Sequence, residues 1–121
     1  MTRQPDFLKL LPSNDEANKL APYTGFVHFK TRVGSQDFVT VNRTDEQKAI
    51  ASRAREIADL ADSDRLDPFT VTAHDMMQYA RPGDDLIIFD LAVHYYRLDQ
   101  YEEFRVGYCE GMEAMRHEHQ Y

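Results

Sequence analysis

The chain has 121 residues and sets 14 Lys and Arg against 21 Asp and Glu, a formal charge of −7. This length suits one domain, 1–121, around one core, and 7 Phe with 7 Tyr give enough aromatic surface to order it. No apolar run approaches the roughly 18 residues of a membrane span, the acidic balance disfavours broad phosphate binding, and the lone cysteine, Cys109, excludes an internal disulfide.

The start, "MTRQPDFLKLLPSNDE", lacks the long apolar core and the small-residue cleavage site of a signal peptide. A cytoplasmic, reducing location is therefore expected. Phe7, Leu8, Leu10 and Leu11 suit a short helical turn that Pro12 ends. Ser13 followed by Glu16 is a capping-box pattern, with Pro22 as the far limit, so one or two short helices are predicted here.

"TGFVHFKTRVGSQDFVTVNRT" alternates like a strand pair. Val27 and Phe29 precede Gly34-Ser35, and Val39 and Val41 follow it. A three-residue loop, Val33 to Ser35, would pair Phe29 with Val39 and Val27 with Val41, placing all of them on one face. Such a hairpin is marginal alone and needs a helix to cover it.

"RTDEQKAIASRAREIADLADSD" is the clearest helix. Thr44 is a good N-cap and Gln47 completes a capping box, with Asp45 and Glu46 at the positive end of the helix dipole. Ile50, Ala54, Ile57 and Ala61 form a thin stripe that would let the helix approach the sheet closely, leaving Lys48, Arg53, Arg55, Glu56 and Asp59 on the wet side. "DSDRLDPF" reads as a loop. Its Asp62, Asp64 and Asp67 fail the EF-hand pattern, which needs Gly and Glu where Asp67 and Ala73 stand. "TVTAHDMMQYARPG" reads as a short helix capped by Thr72 with Asp75 and stopped by Pro82-Gly83.

"DDLIIFDLAVHYYRL" fits two patterns. As a strand, Ile87, Phe89, Leu91, Val93 and Tyr95 alternate, and a third strand over Leu86–Tyr95 would join the hairpin. As a helix, Asp90, His94 and Arg97 make one polar stripe. Length favours the helix. "DQYEEFRVGYCEGMEAMRHEH" is helical, with Tyr101, Phe104, Tyr108, Met112 and Met115 as its stripe. Gly107 and Gly111 each weaken it by about 1 kcal/mol relative to Ala and mark a place where another helix could pack close. The expected fold class is thus α+β: short N-terminal helices, a two-stranded antiparallel β-hairpin, then three to four α-helices ending in an antiparallel helix pair joined near "RLDQ".

That last pair, over about residues 85–116, resembles a single tetratricopeptide repeat. Leu91, Ala92 and Tyr95 fall on the positions that the first helix of the repeat keeps as Leu, a small residue and Tyr. Tyr101, Tyr108 and Gly111-Met112 fall on aromatic, aromatic and small-Leu positions of the second. Ile88, Phe104 and Arg116 depart from the usual Trp, Ala and Pro. The resemblance implies a helical hairpin, and a lone repeat cannot bury its own face. The spacing is mainly for packing.

Charge is uneven: residues 1–43 carry +2 and residues 44–121 carry −9. The first functional expectation is a non-enzymatic protein-protein interaction module. It would be an acidic inhibitor, of the type found in phages and mobile elements, that blocks a basic nucleic-acid-binding partner protein through Asp99, Glu102, Glu103, Glu110 and Glu113. The second is a small enzyme or ligand-binding domain centred on Asp90, His94, Arg97 and Tyr101, although no nucleophile or oxyanion donor is identifiable beside them. The third is nucleic-acid binding through Lys30, Arg32 and Arg43 of the basic hairpin. No cofactor is expected and no metal site either, since His117, His119 and Cys109 lack zinc-site spacing. The Met and aromatic stripes could serve self-association as easily as a core.

Overall fold

The computed structural model describes the backbone of residues 7–30 and 36–119 and the side chains of residues 8–26 and 40–106. A 3₁₀ turn (Phe7–Leu10) leads to α1 (Asn14–Lys19) and α2 (Ala21–Thr24). Strands β1 (Phe26–Lys30) and β2 (Gln36–Thr40) follow, then α3 (Asp45–Ser63), α4 (Ala73–Met76), a 3₁₀ turn (Met77–Tyr79) and α5 (Leu86–His119).

Local chemistry explains where the helices begin. The Ser13 hydroxyl accepts the Glu16 amide at 3.2 Å. The Thr44 hydroxyl accepts the Gln47 amide while the Gln47 side chain accepts the Thr44 amide. Thr72 and Asp75 repeat this box at α4. Each satisfies an N–H that the helix itself leaves without a partner. Gly25 ends α2 at φ 83°, a left-handed conformation that a side chain would strain.

The α+β expectation is corrected: the fold is helical. The core is helix on helix. Ala51, Ala54, Ile57, Ala58 and Ala61 of α3 cluster with Ile88, Phe89, Leu91, Ala92 and Tyr96 of α5, and Met76 of α4 closes one end. The Ala stripe of α3 therefore lets α5 approach, where a sheet was expected. The short strands run antiparallel as one ribbon, and β1 lies beside α1 and α2. Val27 stands opposite Val39 and Phe29 opposite Asp37, a slip of two residues from the expected register that leaves the pairing parity unchanged. The expected loop Val33–Ser35 lies outside the described residues.

Residues 86–95 are helical, so no third strand forms. More decisively, α5 runs 34 residues without a break, which removes the expected antiparallel helix pair and with it the hairpin that the tetratricopeptide resemblance implies. "RLDQ" holds neither Gly nor Pro to end a helix, and its Asp99 and Gln100 are tied to α3. Arg55 chelates Asp99, with Nη1 at 3.1 Å from Oδ1, and Gln100 Nε2 donates to Asp62 at 3.0 Å. The first half of α5 is buried on nearly every side, since Ile88, Phe89, Leu91, Ala92, His94 and Tyr96 all lie inside. A helix this deeply buried is apolar over most of its circumference, with Asp90 as its exposed polar exception. No helix among the described residues is long and apolar enough to cross a membrane.

Candidate functional site

Because α5 is the central beam, its two sides carry separate features. At about 100° per residue, Asp90, Val93, His94 and Arg97 share one sector, and Asp99, Glu102, Glu103 and Val106 share the opposite one. Each sector lines a depression.

The second sector faces α3 across an open trench of about 570 Å³, lined by Arg55, Asp59, Asp62, Asp99, Glu102, Glu103 and Val106. Its acidic residues are not equivalent. Asp99 is held by Arg55, which also lies 3.7 Å from Asp59 and stacks over the Tyr95 ring at 5.7 Å. The Asp99 carboxylate, through its hydrogen bonds, is the main cause of the raised Arg55 pKa. Glu102 pairs with Arg105 on its own helix, and that hydrogen bond lowers its pKa. Glu103 is exposed and makes no ion pair among the described residues. Of the anticipated partner-binding residues, Asp99, Glu102 and Glu103 are thus brought together, while the side chains of Glu110 and Glu113 lie outside the described residues. Asp59 and Asp62 were not anticipated here. The sequence shows Asp59 only as part of the wet face of α3 and Asp62 only as a loop carboxylate, whereas the helix runs on to Ser63 and carries both.

The first sector faces the N-terminal helical segment across a cleft of about 260 Å³. Asp90, His94 and Arg97 meet Glu16 and Lys19 of α1 there, with Leu10, Pro12, Leu20, Ile87 and Val93 as the apolar lining. Tyr101 lies beyond the cleft. The three stripe residues are not one solvent face as a helical wheel suggests. Asp90 is exposed, His94 is only 8% exposed, and Arg97 is half-buried. Arg97 Nε donates to Pro68 O at 3.1 Å and Nη2 to Val71 O at 3.2 Å. Together with the Tyr96 hydroxyl on Leu66 O, it pins the loop after α3. Among the described residues, no hydroxyl or thiol lines the cleft.

The basic-hairpin residues fare differently. Arg43 folds back, and its Nη1 donates to Tyr23 O at 2.9 Å, so it serves the α2–β1 junction. Lys30 sits at the end of β1 opposite Gln36, its side chain outside the described residues, as is Arg32 altogether. The loop carboxylates also have partners: Asp62 takes Gln100, Asp64 takes the Tyr79 hydroxyl and Asp67 takes the Phe69 amide. No group of three or more His, Cys, Asp or Glu among the described residues could hold a metal ion. Cys109, His117 and His119 have side chains outside the described residues.

No protein-family model, curated protein or solved structure matches the chain.

Proposed function

We propose that this chain is a non-enzymatic interaction module that works in the reducing cytosol. Its acidic α3–α5 face docks on the basic surface of a partner, of the kind a nucleic-acid-binding protein offers to phosphates. The observation that carries this reading is the gathering of Asp59, Asp62, Glu102 and Glu103 around the Arg55–Asp99 pair in one open trench. Carboxylates from two helices, fixed in register by Asp99 and Gln100, present a rigid negative surface. Clustered negative charges steer a basic partner and set its orientation more than they add raw affinity. The hairpin gives weaker support to nucleic-acid binding, because Arg43 is already used within the fold.

The test is capture from lysate on the tagged chain at low salt, followed by a high-salt wash and a nucleic-acid displacement assay on whatever is retained. A basic protein that elutes with salt, loses its nucleic acid to this chain and binds Glu103→Lys about tenfold less tightly is the expected result. Binding indifferent both to salt and to Glu102→Lys/Glu103→Lys overturns the reading.

A further inference from the structure

We propose that the cleft between the N-terminal helical segment and α5 binds a small amphipathic zwitterion, of the size and kind of an apolar α-amino acid. Three observations lead there. The cleft holds about 260 Å³, just below the range of small-molecule sites, which starts at about 300 Å³, a size that suits a small ligand better than a nucleotide or a peptide. Its apolar part, Leu10 and Leu20 from the N-terminal segment with Ile87 and Val93 from α5, offers lining for a hydrocarbon side chain. Its charged part is balanced, with Lys19 and Arg97 against Glu16 and Asp90.

The Arg97 guanidinium gives the site its polarity. It is half-buried, and the two protein acceptors that hold it are neutral backbone carbonyls, Pro68 O and Val71 O. Arg97 makes no ion pair among the described residues. A guanidinium carries five N–H donors in a fixed fork that matches a carboxylate, so the donors left by those two bonds suit a ligand carboxylate beside the buried His94. Asp90 and Glu16 are exposed at the rim and suit an ammonium group.

Other ligand classes fit less well. A simple anion would satisfy Arg97 and Lys19 but meet Glu16 and Asp90. A simple cation would meet the reverse. A purely apolar ligand would strip water from Arg97 and give nothing back, which is costly for a charge. Only a ligand with both charges and an apolar body answers every wall of the cleft.

The experiment is an NMR and calorimetric titration of the full chain with L-leucine and L-phenylalanine, and with two analogues that each lack one charge, 4-methylpentanoate and 3-methylbutylamine. The expected result is millimolar or tighter binding of the amino acids, shifts centred on the amides of Lys19, Val93 and His94, and at least tenfold weaker binding of both analogues. The Glu16→Gln/Asp90→Asn variant changes only exposed side chains, and it should bind leucine and 4-methylpentanoate about equally. The proposal is overturned if neither amino acid binds at about 10 mM or if the shifts map elsewhere. It is equally overturned if either analogue matches leucine, or if the double variant keeps the wild-type preference.

Discussion

The tie between α3 and the entrance to α5 makes the sharpest test of the fold. Arg53 reaches from α3 to Asp84 with Nε 3.1 Å from Oδ1 and Nη2 3.1 Å from Oδ2, and Nη2 also donates to Tyr79 O at 2.9 Å. Both side chains are mostly buried, at 14% and 10% exposure. Breaking a fully buried pair by removing one partner costs about 3–5 kcal/mol. Two features lower that here: Asp84 keeps the Arg81 amide at 2.9 Å, and water can reach the site from its open side. Arg53→Met, which retains the aliphatic stem, should therefore destabilise the fold by about 2–3 kcal/mol. Urea unfolding followed by far-ultraviolet circular dichroism should show a lower midpoint at unchanged slope. A double-mutant cycle with Asp84→Asn should give a coupling of about 1–2 kcal/mol. The effect also has a signed pH dependence. The Arg53 guanidinium first, and the Arg81 amide second, hold the Asp84 carboxyl below its ordinary value of 3.8. A depressed folded pKa contributes stability above the unfolded value and loses it as pH falls through the folded one. The gap between wild type and Arg53→Met should thus be full at neutral pH and shrink below about pH 4. A loss under about 0.5 kcal/mol at pH 7, or a gap that widens in acid, would refute the reasoning.

Other parts of the molecule are testable in the same way. Gly25→Ala should lower stability by about 1–2 kcal/mol, read as a fall in Tm of several degrees. At φ 83° the new Cβ would lie 3.0 Å from Arg43 Nε, and relief by moving Arg43 would break its bond to Tyr23 O; an unchanged Tm contradicts this. At the alkaline end, burial and the hydrogen bond to Asp64 push the Tyr79 phenol up to about 12. A raised folded pKa gives stability that is fully present below the unfolded value, about 10, and is lost as pH rises through the folded one. The urea midpoint of the wild type should therefore converge on that of Tyr79→Phe as pH climbs from about 10, and parallel pH profiles of the two proteins would count against it.

What the sequence made legible was local. The caps at Ser13, Thr44 and Thr72 all depend on a side chain and an amide three residues apart, so spacing alone reveals them. The first half of α5 was ambiguous for a physical reason. A helix buried on nearly every side keeps too narrow a polar face to show the 3.6-residue period, and "LIIFDLAVHYY" then alternates as well as any strand. The missing turn at "RLDQ" has a similar origin. Asp99 and Gln100 look like turn residues until Arg55 and Asp62 are known to stand across from them, and that juxtaposition is long-range. The same gap hid half of the acidic trench. One helix face of Glu102 and Glu103 could be drawn on a wheel, but Asp59 and Asp62 arrive by packing. The polar stripe was legible as a set of residues and not as a set of roles, because nothing local says that the carbonyls of Pro68 and Val71 come to Arg97.

The central position of α5 also decides how function can be dissected. A surface helix has one face to offer, whereas this one carries the trench on the sector of Glu102 and Glu103 and the cleft on the sector of Asp90 and Arg97, with the core between them. Exposed charges on opposite sides of a packed helix are screened from one another beyond about 8–10 Å at physiological salt, and substitutions without shared partners act additively. Glu103→Lys should therefore weaken binding of a basic protein and leave the leucine titration unmoved. Glu16→Gln/Asp90→Asn should do the reverse, with both variants melting like the wild type. Should either variant disturb both kinds of binding, the beam transmits between its faces, and α3 and α5 are not held as a rigid helix-on-helix core.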